Sequence, residues 1–178
     1  GTTLRVDLSR GTIRRLPTDE ALFRRWHGGR GVVAKICYDE VPRGADPLGP
    51  ENVFIMTVSP MSGCLVPAGS KVEFGSVSPL TNGQGDSNMG GHLGPALKFA
   101  GYDLVVFTGI SPKPVYLFID DDVVELRDAS SYWGMRSLDC EKRLKEDLGE
   151  DFEIATIGPA GENGVLFSCI THDFGRQA

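Results

Sequence analysis

The run Asp86-Ser87-Asn88-Met89-Gly90-Gly91-His92-Leu93-Gly94-Pro95 is the densest group of residues able to do chemistry. Six glycines fall between Gly83 and Gly101, and Pro95 suits the first turn of a helix running through Ala96, Leu97 and Phe99. A glycine-rich approach to a helix start offers main-chain N–H groups and a positive dipole end, which suits phosphate or another anion. The Asn88 side chain can coordinate a hard cation through its carbonyl oxygen, or bond a ring through its amide. The same glycines also describe a tight turn feeding a helix, and on spacing alone both readings stand. Neither G-x-x-x-x-G-K-S/T nor G-x-G-x-x-G occurs, so the two standard phosphate-binding fingerprints are excluded.

Other candidates are weaker. Gly28-Gly29-Arg30-Gly31 places a guanidinium in a turn that could hold an anion or simply join two helices. Gly158-Pro159-Ala160-Gly161-Glu162-Asn163 reads as a turn between strands. His27, His92 and His172 lack zinc-site spacing and read as surface or polar-contact residues. Cys37, Cys64, Cys140 and Cys169 contain no metal-binding pair and are too sparse for a disulfide scaffold. They read as buried free thiols in a reducing cytoplasm.

The elements that must position these groups come from periodicity. Leu4 to Leu8 and Thr12 to Leu16 alternate around Gly11, which predicts a hairpin. Thr18 is placed to cap a short helix through Leu22, Phe23 and Trp26, and a second helix is expected after Gly31. Strands are expected at 53–58, 72–77 and 104–108, then a hairpin of 115–119 with 123–127. Ser137 should cap an amphipathic helix closed by Gly149, followed by strands at 154–157 and 165–170. Strands outnumber helices and occur in hairpins, so the fold class is α+β.

The chain has 178 residues, 23 of them glycine, and a formal net charge of −6. That balance disfavours nucleic acid and anionic membranes as partners. No span reads as transmembrane, because Pro60, Gly63, Pro67 and Gly69 break the one long uncharged stretch. Between Asn52 and Gly101 only Lys71, Glu73, Asp86 and Lys98 are charged, while the stretch from Asp120 to Glu153 is acidic. The first region reads as buried or ligand-facing and the second as a solvated face.

In order along the chain, these segments resemble the N-terminal domain of the tungsten-containing aldehyde ferredoxin oxidoreductase family. The resemblance is carried by Gly28-Gly29-Arg30-Gly31, Tyr38-Asp39-Glu40, Asp46-Pro47-Leu48 and Ser78-Pro79-Leu80-Thr81. It continues through Asp86-Ser87-Asn88 with Gly90-Gly91, Leu97 to Asp103, Lys113 to Leu117, Arg127 to Ser130 and Ile157 to Asn163. It implies one N-terminal cofactor-seat domain over residues 1–178, built of two β-sheets in a pseudo-two-fold arrangement with a few short helices. The sheets form a base for a tungsten, or less often molybdenum, bis-pterin (bis-molybdopterin) cofactor.

Residue by residue, the resemblance implies that Lys71 stands where the family commonly has an Arg at the pterin phosphates. Asn88 and Gly90 match the first cofactor loop, and Arg176 and Gln177 match its pseudo-symmetric counterpart. Asn88 and a main-chain carbonyl at Gln177 would hold a Mg2+ that bridges the two phosphates. No catalytic residue and no 4Fe-4S ligand falls within these residues, and both are expected downstream in the full-length protein. The implied activity is oxidation of aldehydes to carboxylic acids in the cytoplasm, with electrons passing to ferredoxin or a similar carrier. The implied partners are that carrier, the protein's own later domains and a second copy in a homodimer. Two alternatives are the tungsten subunit of a benzoyl-CoA-reductase-like complex and a non-catalytic structural or partner-binding domain of the same descent.

Overall fold

Alternation of Leu4 and Val6 with more polar neighbours yields strand β1 (Thr2–Asp7), which turns back into β2 (Thr12–Pro17) with Leu4 opposite Arg15. The computed structural model describes all 178 residues, Gly1–Ala178. Helices α1 (Glu20–Trp26) and α2 (Gly29–Glu40) follow. Asp19 rather than Thr18 caps α1, its carboxylate accepting from the N–H groups of Ala21 and Leu22. Arg30 and Gly31 lie inside α2 rather than in a connecting turn.

Then come β3 (Val53–Val58), β4 (Val72–Val77), β5 (Gln84–Met89), α3 (Leu93–Phe99) and β6 (Tyr102–Thr108). The main sheet runs β2-β1-β6-β3-β4-β5, with β1 and β6 parallel and the other neighbours antiparallel. Its apolar residues divide between two faces. Val53, Ile55, Leu104 and Val106 pack under Val32, Val33, Ile36 and Cys37 of α2. Leu4, Val6, Val58, Val72, Phe74, Met89 and Val105 form the other core, with Leu97 of α3. Gly75 on β4 is the point of closest approach of α2: a Cβ there would overlap Val33 Cγ1.

The second half also opens on a hairpin, followed by a helix and three antiparallel strands, with one further helix between the first two of those strands. The hairpin β7 (Val115–Asp120) with β8 (Val123–Asp128) covers the second core through Leu117, Ile119, Val124 and Leu126. Helix α4 (Ser137–Leu148), strand β9 (Ala155–Thr156), helix α5 (Gly158–Glu162) and strands β10 (Thr171–His172) and β11 (Arg176–Gln177) complete the chain. The order β11-β10-β9 corresponds to β5-β4-β3 in the first half.

The expected α+β class is what the structure has. Its strands form three sheets rather than two, because no strand joins β7 to β9 as β6 joins β1 to β3. Residues 165–170 are not a strand, and Val165, Leu166 and Phe167 stand exposed. Residues 158–162 are helical rather than a turn, and Ser137 is the first residue of α4, not its side-chain cap. No helix is long and apolar enough to cross a membrane.

Candidate functional site

Strand β5 carries the first glycine-rich loop. Gln84-Gly85-Asp86-Ser87-Asn88 has no apolar alternation, yet it pairs with β4 over six residues as the edge of the main sheet. In that register Asn88 lies opposite Glu73 and Met89 opposite Val72, so Lys71 and Gly90 stand just beyond the last rung. Met89 is buried while Asn88 is exposed, as alternation along a strand requires. The carbonyl of Lys71 accepts from the Ser62 hydroxyl, and Gly94 at the start of α3 packs against the main chain at Ser70 and Lys71.

The second loop arrives from eighty residues further on. The β10–β11 turn puts Thr171 opposite Gln177 and His172 opposite Arg176. A Cβ added to Gly90 would lie 3.6 Å from Arg176 Nη1; one added to Gly91 would lie 2.9 Å from Arg176 Cδ. Gly91 has φ +103°, so both its conformation and its surroundings require glycine. Lys71, Asn88, Gly90 and Arg176 therefore meet at one end of the β4–β5 pair. Gln177 points the other way, into a cavity of about 480 Å³ lined also by Arg136, Ser137, Ile157 and Thr171. Only its main chain shares the neighbourhood of Arg176.

The expected anion seat at the α3 start is only partly free. The N–H groups of His92 and Leu93 both donate to His172 Nε2, at 3.2 Å each. Those of Gly90 and Gly91 make no hydrogen bond within the chain. His172 is fully buried, so of the two readings, surface or polar contact, it is the polar contact. The cysteines also differ from expectation, since Cys37 is buried, Cys64 exposed and Cys140 and Cys169 intermediate. Burial and then Glu40 push the Cys37 thiol up to about 11, which leaves it a poor nucleophile. No cluster of three or more His, Cys, Asp or Glu side chains is placed to hold a metal ion.

A charged cluster that sequence order did not group lies beside Asn88. Arg30 Nε is 2.5 Å from Asp86 and 3.8 Å from Glu73, whose own Oε1 is buried without a hydrogen-bond partner. Burial, and then the adjacent Asp86, push Glu73 from an ordinary 4.5 up to about 7 against the pull of Arg30 and Lys71. The folded protein thus binds this proton more tightly than the unfolded chain. The resulting stability is full below pH 4.5 and is lost as pH rises through 7. Glu73→Gln, which stays neutral, should lessen the fall in melting temperature between about pH 5 and pH 8. Identical pH profiles for the two proteins would show that Glu73 is ionised throughout.

These residues suit a phosphate-bearing group. The Arg176 guanidinium lies against a glycine pair with two free main-chain N–H groups that keeps the approach open, and the register sets Lys71 and the exposed Asn88 carboxamide at the same end of the strand pair. The one metal-ligating atom named among them is the Asn88 carboxamide oxygen, a hard donor of the kind magnesium takes.

The family model described as aldehyde ferredoxin oxidoreductase, N-terminal domain, matches residues 3–178. The chain is 43% identical over its whole length to a tungsten-containing aldehyde ferredoxin oxidoreductase of Thermococcus kodakarensis. The enzyme of the same name from Pyrococcus furiosus is 41% identical over the whole chain. The active-site complex BamBC of benzoyl coenzyme A reductase, solved with 1,5-dienoyl-CoA, superposes with a TM-score of 0.93 at 39% identity over 97% of the chain and 26% of that structure's chain. The chain spans 30% of the length of the two curated relatives. It belongs to the aldehyde ferredoxin oxidoreductase family, whose N-terminal domain it matches from residue 3 to residue 178.

Proposed function

We propose that residues 1–178 are the N-terminal cofactor-seat domain of a tungsten, or molybdenum, bis-pterin oxidoreductase. The observation that carries this reading is the meeting of Arg176 with the Gly90–Gly91 loop, which brings a cation of the second half of the chain to a glycine pair of the first, with Lys71 one residue beyond the last β4–β5 rung. Arg176 and Lys71 would neutralise the pterin phosphates, with Gly90 giving close main-chain approach. Asn88 and the main-chain carbonyl of Gln177 would hold a bridging Mg2+. When bound, the metal centre supplies a Lewis acid and a two-electron acceptor.

In the intact protein, electrons would leave through a 4Fe-4S cluster held by later domains and pass to ferredoxin or a similar carrier. The whole enzyme would oxidise aldehydes to carboxylic acids in the cytoplasm, and a homodimer is the proposed assembly. The superposition on benzoyl coenzyme A reductase favours a second reading, in which the substrate is an aromatic acyl-CoA thioester. Turnover of aldehydes and of benzoyl-CoA by the full-length protein separates the two.

The primary test is metal analysis and ultraviolet-visible spectroscopy of the full-length product. Tungsten or molybdenum together with an iron–sulfur absorption is the expected result, and a protein with neither would overturn the enzyme reading. A finer test is Asn88→Ala. It should lower magnesium per chain by roughly tenfold, the loss typical when a group that supports a metal site is removed. Unchanged magnesium would take the Asn88 side chain out of the site.

A further inference from the structure

We infer that His172 is a positioning residue, whose imidazole sets where the Gly90–Gly91 loop of the first half meets Arg176 of the second. The inference rests on the reading of that loop as a phosphate seat.

Both ring nitrogens have assigned partners. Nε2 lies 3.2 Å from the main-chain nitrogens of His92 and of Leu93, and both are donors, so Nε2 must present its lone pair. Nδ1 lies 2.9 Å from the Ile154 carbonyl, an acceptor, so Nδ1 must carry the proton. Geometry alone therefore selects one neutral tautomer. The Glu153 carboxylate, 3.6 Å from Nε2, is beyond hydrogen-bond reach.

The ring is 0% exposed and joins segments far apart in sequence, because His92 is 80 residues from it. It also packs closely on Gly91. A Cβ at Gly91 would come within 3.0 Å of His172 Cδ2 and Nε2, and within 2.9 Å of Arg176 Cδ. His172 and Arg176 are direct partners in the β10–β11 ladder, so the two side chains lie side by side on one face of it, and both border Gly91. From behind, Glu141 of α4 accepts from the Phe174 N–H at 3.1 Å, and Asp173 binds Arg176 Nε at 2.9 Å, which fixes the turn between the two strands.

A residue that only filled space here could be replaced by any side chain of similar volume. His172 differs because an apolar replacement leaves two half-buried N–H groups without their acceptor. Those groups belong to the two residues that follow Gly90-Gly91, so their release frees the loop itself.

The test uses the full-length enzyme. His172→Leu keeps volume without an acceptor, while His172→Gln places a carbonyl oxygen near the Nε2 position. In His172→Leu, amide exchange in the peptide covering His92 and Leu93 should accelerate by about tenfold or more. Tungsten and magnesium per folded chain should fall by a similar factor, and His172→Gln should restore most of both. Arg176→Ala serves as the control for the seat itself. If His172→Leu retains wild-type metal content while Arg176→Ala loses it, His172 is merely structural and the proposal fails. If Arg176→Ala also retains full metal content, the seat reading fails and the proposal with it. Should His172→Leu not fold, His172→Gln is compared with His172→Asn, whose shorter amide does not reach the two N–H groups. Equal metal content in that pair overturns the proposal.

Discussion

Arg176→Ala in the full-length protein is expected to lower bound tungsten by one to two orders of magnitude, with the fold retained. The Arg176 side chain is about half exposed and its Nε is bonded to Asp173, which leaves the terminal nitrogens free beside Gly90. A charge-assisted hydrogen bond is worth about 1.5–3 kcal/mol, and its loss weakens binding by roughly 10–100-fold. Because Arg176 lies on a two-residue edge strand and fills no core, its removal should shift melting very little. Arg176→Lys should recover part of the loss, since it keeps the charge but not the planar fork. Tungsten and magnesium per mole of protein, measured together with melting temperature, check the prediction. Unchanged metal content in Arg176→Ala would remove this residue from the seat.

Gly75→Val is expected to cost the fold roughly 3 kcal/mol, the upper end for overpacking a core. A side chain at Gly75 would overlap Val33, which is 0% exposed between α2 and the sheet. Neither side can yield easily. Gly75 is paired with Ile55 on one side and Asp86 on the other, and Val33 is held among Val32, Ile36 and Leu104. The melting temperature should fall by about 6–12 °C for a chain of this size. Adding Val33→Ala should recover part of the fall, because the two sites share one space. Full stability in Gly75→Val, or no recovery in the pair, would mean that α2 does not rest on β4 at this point. The variant should also disturb the site, since α2 carries Arg30 to Asp86 and Glu73.

Strands that alternate or bury an apolar run were legible from residue order. Hairpin β1–β2, strands β3, β4 and β6 and hairpin β7–β8 lie within a residue or two of where periodicity puts them. Strand β5 was not legible, because its residues are polar and it exists through pairing with β4. The opposite case is the apolar segment 165–170. It has the composition of a strand, but no neighbouring strand pairs with it. Helix starts were misplaced for a local reason: Asp19 outcompetes Thr18 as an acceptor for the first free N–H groups of α1.

Residue order was enough for the family, the fold class and the glycine-rich loop of the candidate site, because these depend on which residue types follow one another. It also singled out Lys71, Asn88, Gly90 and Arg176, though as a resemblance and not as neighbours. Tertiary structure alone decided that Arg176 crosses to Gly90 while Gln177 turns away, because adjacent strand residues face opposite sides. It alone decided that Glu73 is buried beside Asp86, and burial and then that carboxylate raise its affinity for a proton against the pull of Arg30. And it alone made His172 an acceptor for two distant N–H groups, since a histidine's role is set by the partners that folding brings to its two nitrogens.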